Sequence, residues 1–256
     1  MNSNFKCNLR DALWVKQISN FVKELLFPSF CLGCKQEGTF LCEDCKATLE
    51  ISEYNYCLCN KNPTRLQFDQ NKNGKCYICK DKKLSGLYSA LPYKEKVLTR
   101  KLIHNFKYEP YIKSLAKVLS KILIEHLVLA KNNTNQIWEN SILIPVPLEK
   151  RKMKKRDYNQ AEELAKELSK VINIPLVTNV LMKTKSTSSQ MKLKKEEREK
   201  NVKDAFSIKN HEQIQDKKIF LVDDVYTTGS TMEECAKTLK DVGVKSVWGI
   251  VIAREE

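Results

Sequence analysis

The sequence predicts an α/β protein: a mainly parallel sheet flanked by helices, with a small cysteine-rich module at the N-terminus. Three observations predict it. From Leu84 onward, short apolar runs of strand length alternate with amphipathic helical stretches, the order that builds a parallel sheet covered on both faces. Between Cys31 and Cys79 long apolar runs vanish, and cysteines come in close pairs. One apolar strand then runs into two carboxylates and a hydroxyl-rich turn, from Ile219 to Thr231.

The elements follow in order. Leu13, Val15, Ile18, Phe21, Val22, Leu25 and Leu26 form a helical stripe that Pro28 ends, so residues 1–27 are expected to lead in as a helix. The cysteine segment has too few apolar residues to make a core by burial and must be held by something else. Residues 1–83 are therefore expected to form one domain and 84–256 another. In the second, Leu87–Ala90 reads as a strand, Val97–Phe106 and Ile112–Leu129 as helices, and Ser141–Val146 as a strand stopped by Pro147. Residues 147–156 read as a loop, Asn159–Val171 as a helix and Lys217–Val222 as a buried strand. Met232–Val242 reads as a helix and Ser246–Ala253 as the last strand. The charged stretch 183–203, with eight basic and three acidic residues, interrupts this alternation and reads as a long, mobile loop kept for function.

Of the 256 residues 42% are hydrophobic and 30% charged, the balance of a soluble globular chain. No apolar run approaches the roughly 20 residues of a membrane-spanning helix. Residues 21–30 carry Lys23 and Glu24 and then Pro28, unlike a secretory leader, so a cytoplasmic, reducing setting is expected. There, cysteines are expected to bind metal rather than pair as disulfides. The formal charge is +14, but only seven of the 45 basic residues are arginine. Clusters at 150–156 and 183–203 suit phosphates, pyrophosphate or a nucleic-acid backbone; the competing use is a solvated lysine surface.

Cys31-x2-Cys34, Cys42-x2-Cys45, Cys57-x-Cys59 and Cys76-x2-Cys79 make four pairs. Two closely spaced thiolates can face one ion, and a second pair completes a tetrahedron. One or two structural Zn2+ ions are expected, most simply with consecutive pairs sharing a metal; crossed pairing and an iron–sulfur cluster are the alternatives. The Cys57-x-Cys59 spacing is one residue short of the usual knuckle. Cys7 and Cys235 are unpaired in sequence.

The segment Ile219-Phe220-Leu221-Val222-Asp223-Asp224-Val225-Tyr226-Thr227-Thr228-Gly229-Ser230-Thr231 carries the chemistry. Gly229 lets the backbone approach a phosphate. The helix that follows offers unpaired amides and a positive dipole end. Thr227, Thr228, Ser230 and Thr231 can donate hydroxyl hydrogen bonds. Asp223 and Asp224 can accept from a sugar diol, directly or beside Mg2+. The Gly-x4-Gly-Lys spacing of a Walker loop is missing. The pattern is that of a ribose-phosphate site on a strand–loop–helix.

At these residues the chain resembles the type I phosphoribosyltransferases. Ile144-Pro145-Val146-Pro147-Leu148, Arg151, Arg156 through Ala161, Asn105-Phe106-Lys107-Tyr108, Gln190, Arg198, Asn201, Ala205-Phe206 and Ile252-Ala253-Arg254 resemble the ComF family within them. The resemblance runs from about residue 24 to the end. It implies a Rossmann-like phosphoribosyltransferase fold behind a double zinc ribbon. It also implies that phosphoribosyl pyrophosphate (PRPP) or ribose 5-phosphate binds with Mg2+, with Asp223 and Asp224 on the ribose hydroxyls and Thr227–Thr231 around the 5′-phosphate. Arg151 and Arg156 can clamp pyrophosphate, with Lys107 a weaker candidate. Gln190 and Arg198 could reach in from a closing loop. Natural transformation is implied too: single-stranded DNA handled at the inner face of the membrane, with a competence helicase and DNA-processing proteins as partners. Turnover as a transferase and a non-catalytic DNA-binding or adaptor role both stand open. Tyr54, Tyr56, Tyr77, Phe106 and Tyr108 lie near basic groups and could stack bases. His104, His126 and His211 fall outside the motifs. Two departures from the family pattern are Asp157-Tyr158, in place of Gly-Phe, and the short Cys57-x-Cys59.

Overall fold

The computed structural model describes residues 28–59, 62–66, 74–93, 97–130, 135–185 and 201–255. The expected lead-in helix lies outside them. Contacts divide the chain into two units, 1–48 and 49–256. In the first, the short helix α1 (Glu43–Ala47) begins at Cys42, whose Sγ accepts from the Cys45 amide at 3.4 Å. A cysteine thus stands where a helix commonly has a serine or aspartate cap.

The second unit is built on four parallel strands, β1 (Gly86–Pro92), β2 (Ser141–Pro145), β5 (Lys218–Tyr226) and β6 (Ser246–Arg254), in the order β1-β6-β5-β2. Two short strands, β3 (Leu181–Lys183) and β4 (Phe206–Ile208), pair antiparallel apart from this sheet. The helices are α2 (Val97–Lys107), α3 (Leu115–Leu129), α4 (Asn135–Trp138), α5 (Lys150–Arg156), α6 (Gln160–Ile172) and α7 (Ser230–Lys240).

Side-chain alternation on β5 explains the two buried faces. Ile219 and Leu221 join Met232, Cys235, Ala236 and Leu239 of α7 in one cluster, together with Leu58, Leu84, Val247 and Val251. Phe220 and Val222 alternate away and are equally buried; Phe220 meets Trp138 at 4.7 Å between ring centroids. Cys235 is thus a small core residue.

Helix α3 buries Leu115, Leu119, Ile122 and Leu123, each contributing about 1.5–3 kcal/mol of burial, and it packs on α6 and β1. Asn159 caps α6, its side chain accepting from the Ala161 amide at 3.2 Å. His126 is fully buried, its Nδ1 2.7 Å from the Ser52 carbonyl; burial pushes its pKa down, as befits a structural histidine. Among the described residues no helix is long and apolar enough to cross a membrane.

Several boundaries differ from the sequence expectation. Residues 150–156 form a helix rather than a loop. Strand β5 extends four residues beyond Val222, because Val225 and Tyr226 still pair with Ala253 and Arg254. Both carboxylates therefore sit on the strand, not in the turn. The helix expected from Ile112 begins at Leu115.

Candidate functional site

The site lies where the parallel strands end, the usual ligand position in open α/β sheets. A cavity of about 880 Å3 is lined by the end of β5, the turn 227–231, α2 and α5. Asp224 is 4% exposed, and its Oδ1 accepts from Lys107 Nζ at 2.8 Å. The Asp224 amide donates to Asp223 Oδ1 at 2.8 Å. Burial and the neighbouring Asp224 charge push the Asp223 carboxyl up to about 7. Burial alone would lower the Lys107 pKa, but the charges of Asp224 and Asp223 outweigh it and hold the ammonium well above its usual range. Lys107 thus balances the acidic pair.

Asp223 makes the protein's stability depend on pH. Its folded-state pKa lies above the unfolded value near 3.8, so the native state holds the proton that the unfolded chain gives up first. The stabilisation is complete below about 4 and fades as pH rises to about 7. Asp223→Asn is expected to raise Tm relative to the wild type, by a margin that widens over that window. A pH-independent difference between the two melting curves refutes it.

Gly229 has φ +79°, in the left-handed region, and precedes α7 with no side-chain cap. Thr228 Oγ1 and Ser230 Oγ lie 2.8 Å apart, and the Ser230 amide donates to Thr228 Oγ1 at 3.4 Å. Residues 227–232, which include the first residues of α7, line one cavity with the acidic pair, and a helix start is a setting suited to an anion.

Arg156 lines this cavity; its Nη1 donates to Gln160 Oε1 at 2.9 Å, and its guanidinium lies 5.5 Å from the Tyr108 ring centroid. Arg151 is exposed and does not line it; Lys152 and Lys155 of the same helix do. Arg198 and Gln190 lie outside the described residues. Sequence reading missed Lys152, Lys155 and Arg100. Reading 150–156 as a helix would have found the first two, since positions 152, 155 and 156 share a face. His104, unassigned by sequence, also lines the cavity, 5.0 Å from the Tyr108 ring. Among the described lining residues six Lys or Arg side chains meet three carboxylates, so the cavity favours a polyanion.

The departure at Asp157-Tyr158 has a structural account. Asp157 has φ +63°, a conformation that suits glycine but that aspartate tolerates. Tyr158 is buried, and its hydroxyl donates to the Phe106 carbonyl, so the extra oxygen is satisfied. Phe106 itself is fully buried and is core rather than a stacking surface.

The cysteines gather into two groups, Cys31/Cys34/Cys42/Cys45 and Cys57/Cys59/Cys76/Cys79, each with its sulfurs within 4.8 Å of one another. Consecutive pairs share a site. In the first, Cys42 Sγ lies 3.7 Å from Cys31 and 3.6 Å from Cys34; in the second, Cys76 Sγ lies 3.5 Å from Cys59 and 3.6 Å from Cys79. A tetrahedron of Zn–S bonds near 2.3 Å has edges of about 3.8 Å, whereas a disulfide needs about 2.05 Å. Backbone amides also point at sulfur, as from Thr64 to Cys57 at 3.1 Å and from Cys76 to Cys79 at 3.2 Å. Both groups fit zinc, and the short Cys57-x-Cys59 spacing does not spoil the second.

Comparison with known proteins agrees with this architecture. Residues 159–255 match the phosphoribosyl transferase domain family. Over 155 residues the chain is 36% identical to competence protein F of Haemophilus influenzae, covering 59% of this chain and 67% of that one. The chain belongs to the ComF family. This ComF-family protein is also 31% identical over 146 residues to the DNA utilization protein YhgH of Escherichia coli K12, covering 57% and 63% of the two chains. It is 28% identical over 102 residues to competence protein ComFC of Bacillus subtilis, covering 40% and 39%. The match thus spans about two thirds or less of each relative's length.

Proposed function

We propose that this ComF-family protein binds PRPP or ribose 5-phosphate with Mg2+ at the turn after β5 and serves natural transformation. The observation that carries the reading is the convergence, in one cationic cavity, of Asp223, Asp224, the turn 227–231 and Arg156. The turn takes the 5′-phosphate, the two carboxylates accept from the ribose diol, and Arg156 with Lys152 and Lys155 receives the pyrophosphate. Arg151 and Arg198 are further candidates for phosphate. Bound Mg2+ would neutralise pyrophosphate charge. In a transfer, the bond from ribose C1 to pyrophosphate oxygen breaks and the pair leaves with pyrophosphate. An acceptor forms the new bond to C1 and loses its proton to water. The relatives' names, competence and DNA utilization, support the pathway.

The test is calorimetry with PRPP and with ribose 5-phosphate, with and without Mg2+. Asp224→Asn is expected to weaken PRPP binding about 10- to 100-fold, the value of roughly 1.5–3 kcal/mol for a hydrogen bond to a charged group. Affinity unchanged by that substitution removes the site. PRPP-dependent pyrophosphate release with candidate acceptors tests turnover.

A second reading, a non-catalytic single-stranded-DNA-binding or adaptor protein, has its own observation. Tyr77 and Ile78, between two cysteine ligands, are 83% and 67% exposed, and the Arg65 guanidinium stacks 3.1 Å from the Tyr54 ring. Aromatic and cationic surfaces of this kind take single strands. DNA affinity that does not fall with salt counts against it.

A further inference from the structure

The turn 227–231 does not rest on the sheet alone. The residue just before it and a residue just after it are both held by the segment that carries the second cysteine group. Tyr226 is 2% exposed. Its hydroxyl donates to the Leu58 carbonyl at 3.3 Å and accepts from Lys82 Nζ at 3.1 Å. Lys82 also donates to the Leu58 carbonyl, at 2.7 Å. Leu58 lies between Cys57 and Cys59, and Lys82 follows Cys79 by one short turn. Beyond the turn, the Glu233 carboxylate accepts from the amides of Lys83 and Leu84. Arg254, at the end of β6, donates to the Cys57 carbonyl at 2.7 Å and to the Cys59 carbonyl.

The turn leans directly on this assembly. A Cβ placed on Gly229 would sit 2.3 Å from the Tyr226 hydroxyl oxygen and 2.4 Å from its ring carbon Cζ. The Tyr226 ring is therefore the floor under the tightest point of the turn. What fixes that ring is a carbonyl whose two flanking residues would ligate one ion. With the ion in place the 57–59 backbone is pinned from both sides. Without it, that backbone keeps only packing and hydrogen bonds, from Arg254, Lys82 and Tyr226 and from the Cys57 amide to the Thr64 carbonyl.

We propose that Tyr226 is a positioning residue that couples the Cys57/Cys59/Cys76/Cys79 metal site to the turn 227–231, so that the turn keeps its ligand-ready shape only while that site holds its metal. The coupling rests on geometry alone; its consequence for a phosphorylated sugar rests on the function proposed above. By linkage the effect is reciprocal: a ligand that needs the ordered turn tightens the metal by the factor by which the metal tightens the ligand.

The test uses the full zinc-loaded chain and amide hydrogen exchange read by mass spectrometry. Cys76→Ser is expected to speed exchange across 227–231 at least tenfold, while the β5 amides at 219–222 keep their protection. Cys34→Ser, which disables the first cysteine group, is expected to leave 227–231 unchanged. Tyr226→Phe keeps the ring and all eight thiolates; losing one hydroxyl's hydrogen bonds is expected to speed exchange there by about three- to tenfold, with zinc content unaltered. If Cys76→Ser also exposes 219–222, the Phe variant decides alone. Wild-type exchange at 227–231 in Tyr226→Phe overturns the coupling, as does an equal effect from the two cysteine groups.

A second measurement separates the coupling from the ligand assignment. Ribose 5-phosphate is expected to slow zinc capture from the second group by a chromogenic chelator, and less so in Tyr226→Phe. Turn exchange that responds to the variants beside zinc release indifferent to ribose 5-phosphate keeps the coupling and rejects the sugar phosphate.

Discussion

Gly229→Ala is expected to weaken ribose 5-phosphate binding by at least about 100-fold. Two penalties act together. The residue has φ +79°, and holding a non-glycine side chain in a sparsely populated region costs about 1–3 kcal/mol. The new methyl group would also collide with Tyr226, which cannot step aside because its hydroxyl is bonded to Leu58 and Lys82; such overpacking costs about 1–3 kcal/mol more. The turn relieves the clash by opening. If the binding-ready shape becomes a minor state, apparent affinity drops by its population, and about 2.8 kcal/mol suffices for 100-fold. Calorimetry reads the loss, and protection of the β5 amides shows that the sheet survives. Affinity within threefold of wild type disproves the phosphate role of the turn.

Removing metal from Cys31/Cys34/Cys42/Cys45 is expected to unfold residues 28–48. That described stretch buries little besides Cys31, Leu41 and Cys42 and has one five-residue helix. Burial at this scale cannot meet the entropy of ordering about 20 residues, at roughly 1–2 kcal/mol each for the backbone. Structural zinc contributes on the order of 10 kcal/mol in small fingers, so metal decides whether this stretch folds. In Cys42→Ser, or after chelation, proteolysis within 28–48 is expected to rise at least 100-fold, while 219–254 stays protected. Unchanged cleavage without bound metal shows that the stretch folds without its ion.

The parallel sheet was legible because each buried strand is a short apolar block with its own helix beside it. Ile142–Ile144 and Ile219–Val222 carry that signal in their composition. The cysteine grouping was legible through spacing, and so was the turn, where Gly229 supplies the conformation that the phosphate reading requires. The helix at 150–156 was not. KRKMKKR has no apolar stripe, so burial periodicity is silent; of its cations Arg156 was read, but Arg151 stood in for Lys152 and Lys155. The roles of Tyr226 and Glu233 were equally hidden. Both are local features of a strand end and a helix start, and their partners lie more than a hundred residues earlier. Tyr158 departs visibly from the family pattern, but the carbonyl that accepts its hydroxyl comes from α2, which no local pattern reveals.

The placement of β6 has a consequence for biosynthesis. It lies between β1 and β5, and Gly86 at the sheet's edge takes Trp248 as its partner. As the ribosome works, β1 emerges early yet has no neighbour to bond until 246–254 leave the exit tunnel. Such distant pairing makes for slow folding and leaves unpaired, apolar backbone prone to clumping meanwhile. Messages that stall before the codons for 246–254 should therefore yield insoluble product, and holdase chaperones should matter more to this chain than to one whose neighbouring strands are consecutive.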